Sequence, residues 1–340
     1  MLGHGLQAMS HNPRYRCPVW RLRRAALLLL LIAAPWAAPS AEVGEQAAEV
    51  PDPLSLERAL GYAAGHPRVR LGPGETPFAR RQPLYLGCHE LAHAGGRGRD
   101  DARDLAWSPL LPAEAAQRLE IMQRFYDVLL ADLSYSRDNE AMAVAYVQYD
   151  RAQAREELGQ FSPLRVAELA AAYQSIRRQR AASEAAQRIT RSLLAQALGR
   201  PEDLPRDLVT PELEVSGEPL PALDAVVAAA LESNPRVREL MRDGGDAGRA
   251  LVAMEVRQQA FELLMRLELL GVIAEQTRAE SNWRDLKLDE SRTLYELEAK
   301  ADLGFSMSQQ TKARRDEEAV ALCQALTRAE LKALQGKPLP

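Results

Sequence analysis

The chain has 340 residues, 46% apolar, 26% charged and only 5% aromatic, and its formal net charge is −4. Near-neutral charge, with no basic tract beyond the N-terminus, excludes an electrostatic footprint for nucleic acid. Abundant Ala, Leu, Arg, Glu and Gln with scarce aromatics excludes a β-sandwich or barrel and predicts long helices.

The N-terminus reads as a targeting segment. Arg21, Arg23 and Arg24 precede an apolar run from Ala25 to Ala34, and the small residues Ala37, Ala38, Ser40 and Ala41 follow. The run is too short to span a bilayer comfortably, so residues 1–41 are expected to be a signal peptide cleaved near Ser40 or Ala41. An uncleaved anchor is the alternative. No later run is long enough for a transmembrane helix, which places the mature chain in the periplasm, with outer-membrane association open. Cys17 precedes the apolar run. Cys88 and Cys323 remain, and a disulfide between them is possible in an oxidising compartment. Nothing in the sequence supports that pairing, and buried free thiols are the expectation.

After a Pro-bearing lead, Ser55 caps a short helix that stops at His66-Pro67, because the residue before proline avoids the α region. Residues 71–111 form an irregular insert broken by Gly72, Pro73, Gly74, Pro77, Pro83, Gly95, Gly96, Gly98 and Pro109. From 113 the pattern changes. Leu119, Met122, Tyr126, Leu129 and Leu133 step by three and four, predicting a helix to about Leu158. Residues Gly159 to Pro163 make a turn. A second helix runs from about Leu164 to Leu198, with Val166, Leu169, Tyr173 and Ile176 on its stripe, and Gly199 and Pro201 close it.

A Pro-rich connector covers 200–221. A short helix then ends at Asn234-Pro235, and Gly244, Gly245 and Gly248 mark a loop. Val256, Ala260, Leu263, Leu267, Leu270, Ala274 and Thr277 make a near-heptad seam on a helix reaching about Ala301. A turn at Leu303 to Ser306 leads into a last helix with seam residues Ala319, Leu322, Leu326, Ala329 and Ala333. Roughly 45–50 helical residues span about 70 Å, so such rods must bury their stripes along neighbours.

Two matches indicate duplication. His66-Pro67-Arg68-Val69-Arg70 pairs with Asn234-Pro235-Arg236-Val237-Arg238. The stretch from Ile189 to Pro201 pairs without a gap with Leu326 to Pro338. The expected fold is all-α: two tandem repeats of a long antiparallel helical hairpin, over 42–201 and over 202–340 with its linker.

These residues resemble the TolC family of outer-membrane efflux and secretion channels. Leu54-Ser55-Leu56-Glu57-Arg58-Ala59-Leu60, running on to His66-Pro67, is similar to the family's opening signature, and Leu223 to Pro235 to its second-copy counterpart. Leu158-Gly159-Gln160-Phe161-Ser162 and Leu303-Gly304-Phe305-Ser306 resemble its periplasmic tip turns. The family has two strand pairs set between long helices. Here the corresponding places, 71–111 and 239–250, hold no alternating strands, so the membrane barrel is expected to be missing. The resemblance implies a homo-trimer that packs its hairpins into a helical tube. It also implies a periplasmic adaptor protein touching Leu158, Gly159, Phe161, Ser162, Leu303, Gly304, Phe305 and Ser306, and an inner-membrane transporter supplying energy. Membrane contact would come through partners, with no enzymatic activity and no cofactor. Hairpin turns often carry glycine without any partner, which is the plainer reading of those tips.

A second pattern competes. His89-Glu90-Leu91-Ala92-His93 matches H-E-x-x-H, the zinc-peptidase arrangement of two histidines on one helical face with a glutamate as general base. Arg99 stands where a longer version needs a third histidine, and Pro83 and Gly95-Gly96 leave little room for a helix. A short polar helix without metal is the expectation, a zinc-dependent peptidase the alternative. A periplasmic coiled-coil scaffold is the other alternative.

Overall fold

A computed structural model describes residues 50–71, 78–93, 108–213, 219–297 and 303–339, all within one compact unit. The expected signal segment falls outside these residues. The described helices are α1 (Leu56–Leu60), a 3-10 turn (Ala63–Gly65), α2 (Pro67–Leu71), α3 (Cys88–Ala92), α4 (Ala113–Glu157), α5 (Pro163–Ala197), α6 (Leu223–Ser233), α7 (Pro235–Asp243), α8 (Gly245–Glu296) and α9 (Leu303–Leu334). Among the described residues there is no β-strand, only an isolated parallel bridge between Leu54 and Leu208.

The four long helices lie in one row, α5–α4–α9–α8. Helices α4 and α5 form one antiparallel hairpin, α8 and α9 the other, and α4 meets α9 at the seam between them. The expected heptad stripes make the contacts: Val256, Ala260, Leu263, Leu267 and Leu270 are buried on α8, and Ala319, Leu322, Leu326, Ala329 and Ala333 on α9. Helix α8 runs unbroken through Trp283 to Leu288.

The row differs along its length. At its base α4 is buried on nearly every side from Ala116 to Ala131, with Leu119, Ile121, Phe125, Val128 and Leu130 at 0% exposure. Each such side chain contributes roughly 2 kcal/mol of transfer free energy. Toward the tips the seams turn polar. Arg191 makes a bidentate pair with Asp132 at 2.8 and 2.9 Å. Thr311 donates to Glu140 across the hairpin seam at 2.7 Å.

Part of the insert folds back as a strap over the base. Buried Asp127 on α4 accepts the backbone N–H groups of Leu84 (2.8 Å), Tyr85 (2.7 Å) and Leu86 (3.0 Å). Burial pushes its carboxyl above the usual range, against the pull of those three bonds and of Arg124. Arg124, itself buried, donates to the Arg81 carbonyl, and Arg80 pairs with Glu120. The strap then lays α3 against α8 and α9. Asp127→Ala leaves three inward-facing N–H groups without their acceptor. The expected loss is about 2–4 kcal/mol in urea unfolding, with faster proteolysis within 78–93; an unchanged midpoint contradicts this.

Four expectations need correction. Cys88 and Cys323 are not free thiols: they form a disulfide with Cα atoms 5.2 Å apart. The folded-back strap brings α3 onto α9, a proximity that spacing cannot reveal. The glycines at 244–248 make no loop. Only Gly245 takes a positive φ, 58°, and Gly248 lies inside α8. The helix opened by Ser55 is shorter than expected, giving way to the 3-10 turn before His66. Leu303–Ser306 form the first turn of α9 rather than the connecting turn, which falls outside the described residues.

Candidate functional site: hairpin tips and outer helix edges

At the first tip, α4 ends in a Schellman arrangement. Gly159, at φ 69°, donates to the Glu156 carbonyl at 2.8 Å and Gln160 to the Arg155 carbonyl at 2.8 Å. Ser162 then caps α5 by accepting the Arg165 N–H at 3.3 Å, and Pro163 occupies the first helical position. The Arg155 guanidinium lies 5.3 Å from the centre of the Phe161 ring. The turn is thus satisfied by its own chain. What it presents outward is Leu158, 71% exposed, and Leu164, 69% exposed. The motif-based reading missed Leu164, although an apolar residue directly after the helix-opening proline was its signal.

The second tip is different. Gly304 faces inward: a Cβ there would stand 2.5 Å from Val144 Cγ2, so the bare backbone lets α9 approach α4 of the same chain. Ser306 is buried and shares a 2.7 Å hydrogen bond with Ser291. Leu303 is half-buried. Phe305 is the outward residue at 54% exposure, on the rim of a cavity of about 330 Å³ between α4, α5 and α9. The eight motif residues therefore do not form one surface.

The outer edges of the row carry a signal that the seam pattern concealed. On α8, opposite the buried seam, Leu251, Met254, Phe261, Leu269, Val272, Trp283 and Leu286 are all exposed. At 3.6 residues per turn they fall within about 100° of the helix circumference. On the far edge, one exposed arc of α5 carries many small residues, interrupted by Gln174, Arg178 and Gln196. Ala167, Ala171, Ser175, Ala182, Ala185 and Ser192 share one arc with Leu164 and Ile189.

His89 lies on the five-residue helix Cys88–Ala92, and His93 is the residue that ends it. The two imidazole centres are 4.4 Å apart. Among the described residues no three His, Cys, Asp or Glu side chains stand close enough to hold a metal. Glu90 instead lines a cavity of about 350 Å³ between strap and α9, together with Tyr85 and Arg315. The Arg315 guanidinium lies 5.7 Å from the Tyr85 ring centre.

No protein-family model and no curated protein sequence matches the chain. Solved structures do. CusC, from a crystallographic study of its folding and transmembrane channel formation, superposes with a TM-score of 0.52 at 11% identity, over 83% of this chain and 96% of that one. The helical domain is TolC-like in fold. A membrane protein from Pseudomonas aeruginosa matches at TM-score 0.44 and 14% identity over 84% of this chain and 90% of its own. The outer membrane protein VceC of Vibrio cholerae matches at 0.41 and 10%, over 67% and 71%. The residues 239–250, where the sequence resemblance set a strand pair, are helical on either side of one glycine. There α7 passes into α8 through Gly244 alone.

Proposed function

We propose that this protein is a TolC-like, non-enzymatic component of an efflux or secretion assembly. It is exported to the periplasm and closes into a homo-trimer whose hairpin tips meet a periplasmic adaptor served by an inner-membrane transporter. The observation that carries this reading is the pair of unlike edges. A row of four helices with large apolar side chains along one border, and small residues interspersed with Gln174, Arg178 and Gln196 along the other, suits head-to-tail association, α8 of one copy against α5 of the next. Large residues fit between small ones, so the backbones can approach closely. An exposed apolar stripe running from Leu251 to Leu286 is more than an isolated chain keeps in water without a partner. At the tips, Leu158, Leu164 and Phe305 supply apolar contact area, while Gly159 and Ser162 shape the turn that displays them.

The test is to place charge on the α8 border with Val272→Asp and Leu286→Asp together. Each buried carboxylate is expected to weaken the contact by about a hundredfold, so the trimer mass seen by light scattering falls to that of one chain. Helical circular dichroism should not change, because both residues face away from the α8–α9 seam. A double variant with the mass of the parent would contradict the edge-to-edge reading.

A further inference from the structure

The two short matches in the sequence meet the same structural task with different chemistry. Asn234 precedes Pro235 and is fully buried. Its Oδ1 accepts the N–H groups of Arg236 (2.9 Å) and Val237 (3.2 Å), capping α7. Its Nδ2 donates to the carbonyl of Leu334 at 2.9 Å, in the last turn of α9, and to that of Leu110 at 3.0 Å. One side chain thus opens a helix and holds the end of the returning hairpin helix.

His66 precedes Pro67 and does the same. Its Nδ1 accepts the Arg68 N–H at 3.2 Å, and its Nε2 lies 3.2 Å from the carbonyl of Gln196 in the last turn of α5. An imidazole can make both bonds only when neutral, with the hydrogen on Nε2 and the lone pair on Nδ1. The amide of Asn234 keeps acceptor and donor at every pH. The imidazole does not: its protonated form has two donors and no acceptor.

We propose that the joint at His66 is proton-operated whereas the joint at Asn234 is permanent, so that acid loosens the base of the first hairpin and spares the second. Protonation turns Nδ1 into a donor aimed at the Arg68 N–H. The cap of α2 is lost, and with it the anchor of the strap root, where Arg68 also donates to the Phe78 carbonyl at 2.8 Å. The charged groups around the ring are divided. Glu120 of α4 favours the imidazolium, while Arg68 of α2 and Arg80 of the strap oppose it; the Gln196 carbonyl of α5 also favours it. Burial outweighs these, and the folded state holds the imidazole below its ordinary value of 6.5. The sign follows. Above about pH 6.5 the ring is neutral folded or unfolded and the joint is whole. Below it the unfolded chain takes the proton first, so stability falls with pH until the native value is passed.

Two measurements on the disulfide-bonded full chain decide the matter. Hydrogen exchange, corrected for the intrinsic pH dependence, compares residues 62–71 with 230–239 at pH 7.5 and pH 5. Protection of 62–71 is expected to drop from pH 7.5 to pH 5, by at most about tenfold per pH unit between the unfolded-state and native values, with 230–239 unchanged. His66→Asn, which installs the chemistry of the second joint, should hold 62–71 protected at both pH values. Histidine-labelled NMR should find the His66 ring in the Nε2–H form, titrating below 6.5. Flat protection in the parent, an equal loss in His66→Asn, or a ring that titrates at or above 6.5 would each overturn the proposal.

Discussion

Reduction of the Cys88–Cys323 disulfide lowers the unfolding free energy by about 4 kcal/mol and releases the strap. The bond closes a loop of 235 residues, which puts its effect on the unfolded chain in the upper part of the usual range. Its effect on the native state is local. Helix α3 is a single short helix with Cys88 and Ala92 buried, too little to hold itself across α8 and α9. The other end of the strap is fixed independently by Asp127 and Arg124, so reduction frees α3 and leaves residues 80–86 docked. Denaturation of Cys88→Ala/Cys323→Ala, compared with the oxidised parent, gives the energy. Limited proteolysis locates the release, with new cleavage at 88–93 before any cut in α4. Two thiols reacting with a thiol reagent in the native exported protein would contradict the bond itself.

Three glycines at helix ends give a graded second expectation. Gly159, Gly199 and Gly336 all have φ near 70°, and each closes a Schellman arrangement, so alanine is strained at all three. Their surroundings differ. A Cβ at Gly159 meets nothing within 4 Å. At Gly199 it meets the His66 ring at 3.2 Å, a side-chain contact that a shift of a few tenths of an ångström relieves, against the ring's two hydrogen bonds. At Gly336 it would stand 2.6 Å from the Ser233 carbonyl oxygen and 2.8 Å from Asn234 Cα, both backbone. Relief there means displacing Asn234, which breaks its bond to Leu334. The expected costs are about 1 kcal/mol for Gly159→Ala, more for Gly199→Ala, and 3 kcal/mol or above for Gly336→Ala. Urea denaturation of the three variants tests the order. Equal costs would mean that the short helices α6 and α7 are not wedged against the end of α9 as described.

The rods were legible because their chemistry is periodic. Steps of three and four placed α4, α5, α8 and α9 to within a few residues, and the seam residues of α9 and those of α8 from Val256 to Leu270 are buried, with Ala274 and Thr277 half-buried. The strap was not legible, because Asp127 binds backbone N–H groups, which carry no residue signature. A weaker signal for it was present all the same. Ile121, Phe125 and Val128 lie off the Leu119–Met122–Tyr126 stripe, and a helix apolar on every side needs cover beyond one hairpin mate. The disulfide depended on that hidden strap and could not be reached from spacing. At the tips, the Gly-Phe-Ser motif suggested two similar turns. Val144 makes the difference: it fills the space that Gly304 leaves, a contact between residues 160 positions apart. The exposed border of α8 was written in the sequence as a second apolar stripe, overshadowed by the stronger seam.

Electron microscopy of the purified, disulfide-bonded chain bears most directly on the claim that these hairpin rows close on themselves. The account predicts three-fold end views of a ring of twelve rods, four from each chain, with α8 of one copy beside α5 of the next. Single rows of four helices at concentrations where light scattering also gives the mass of one chain would contradict it.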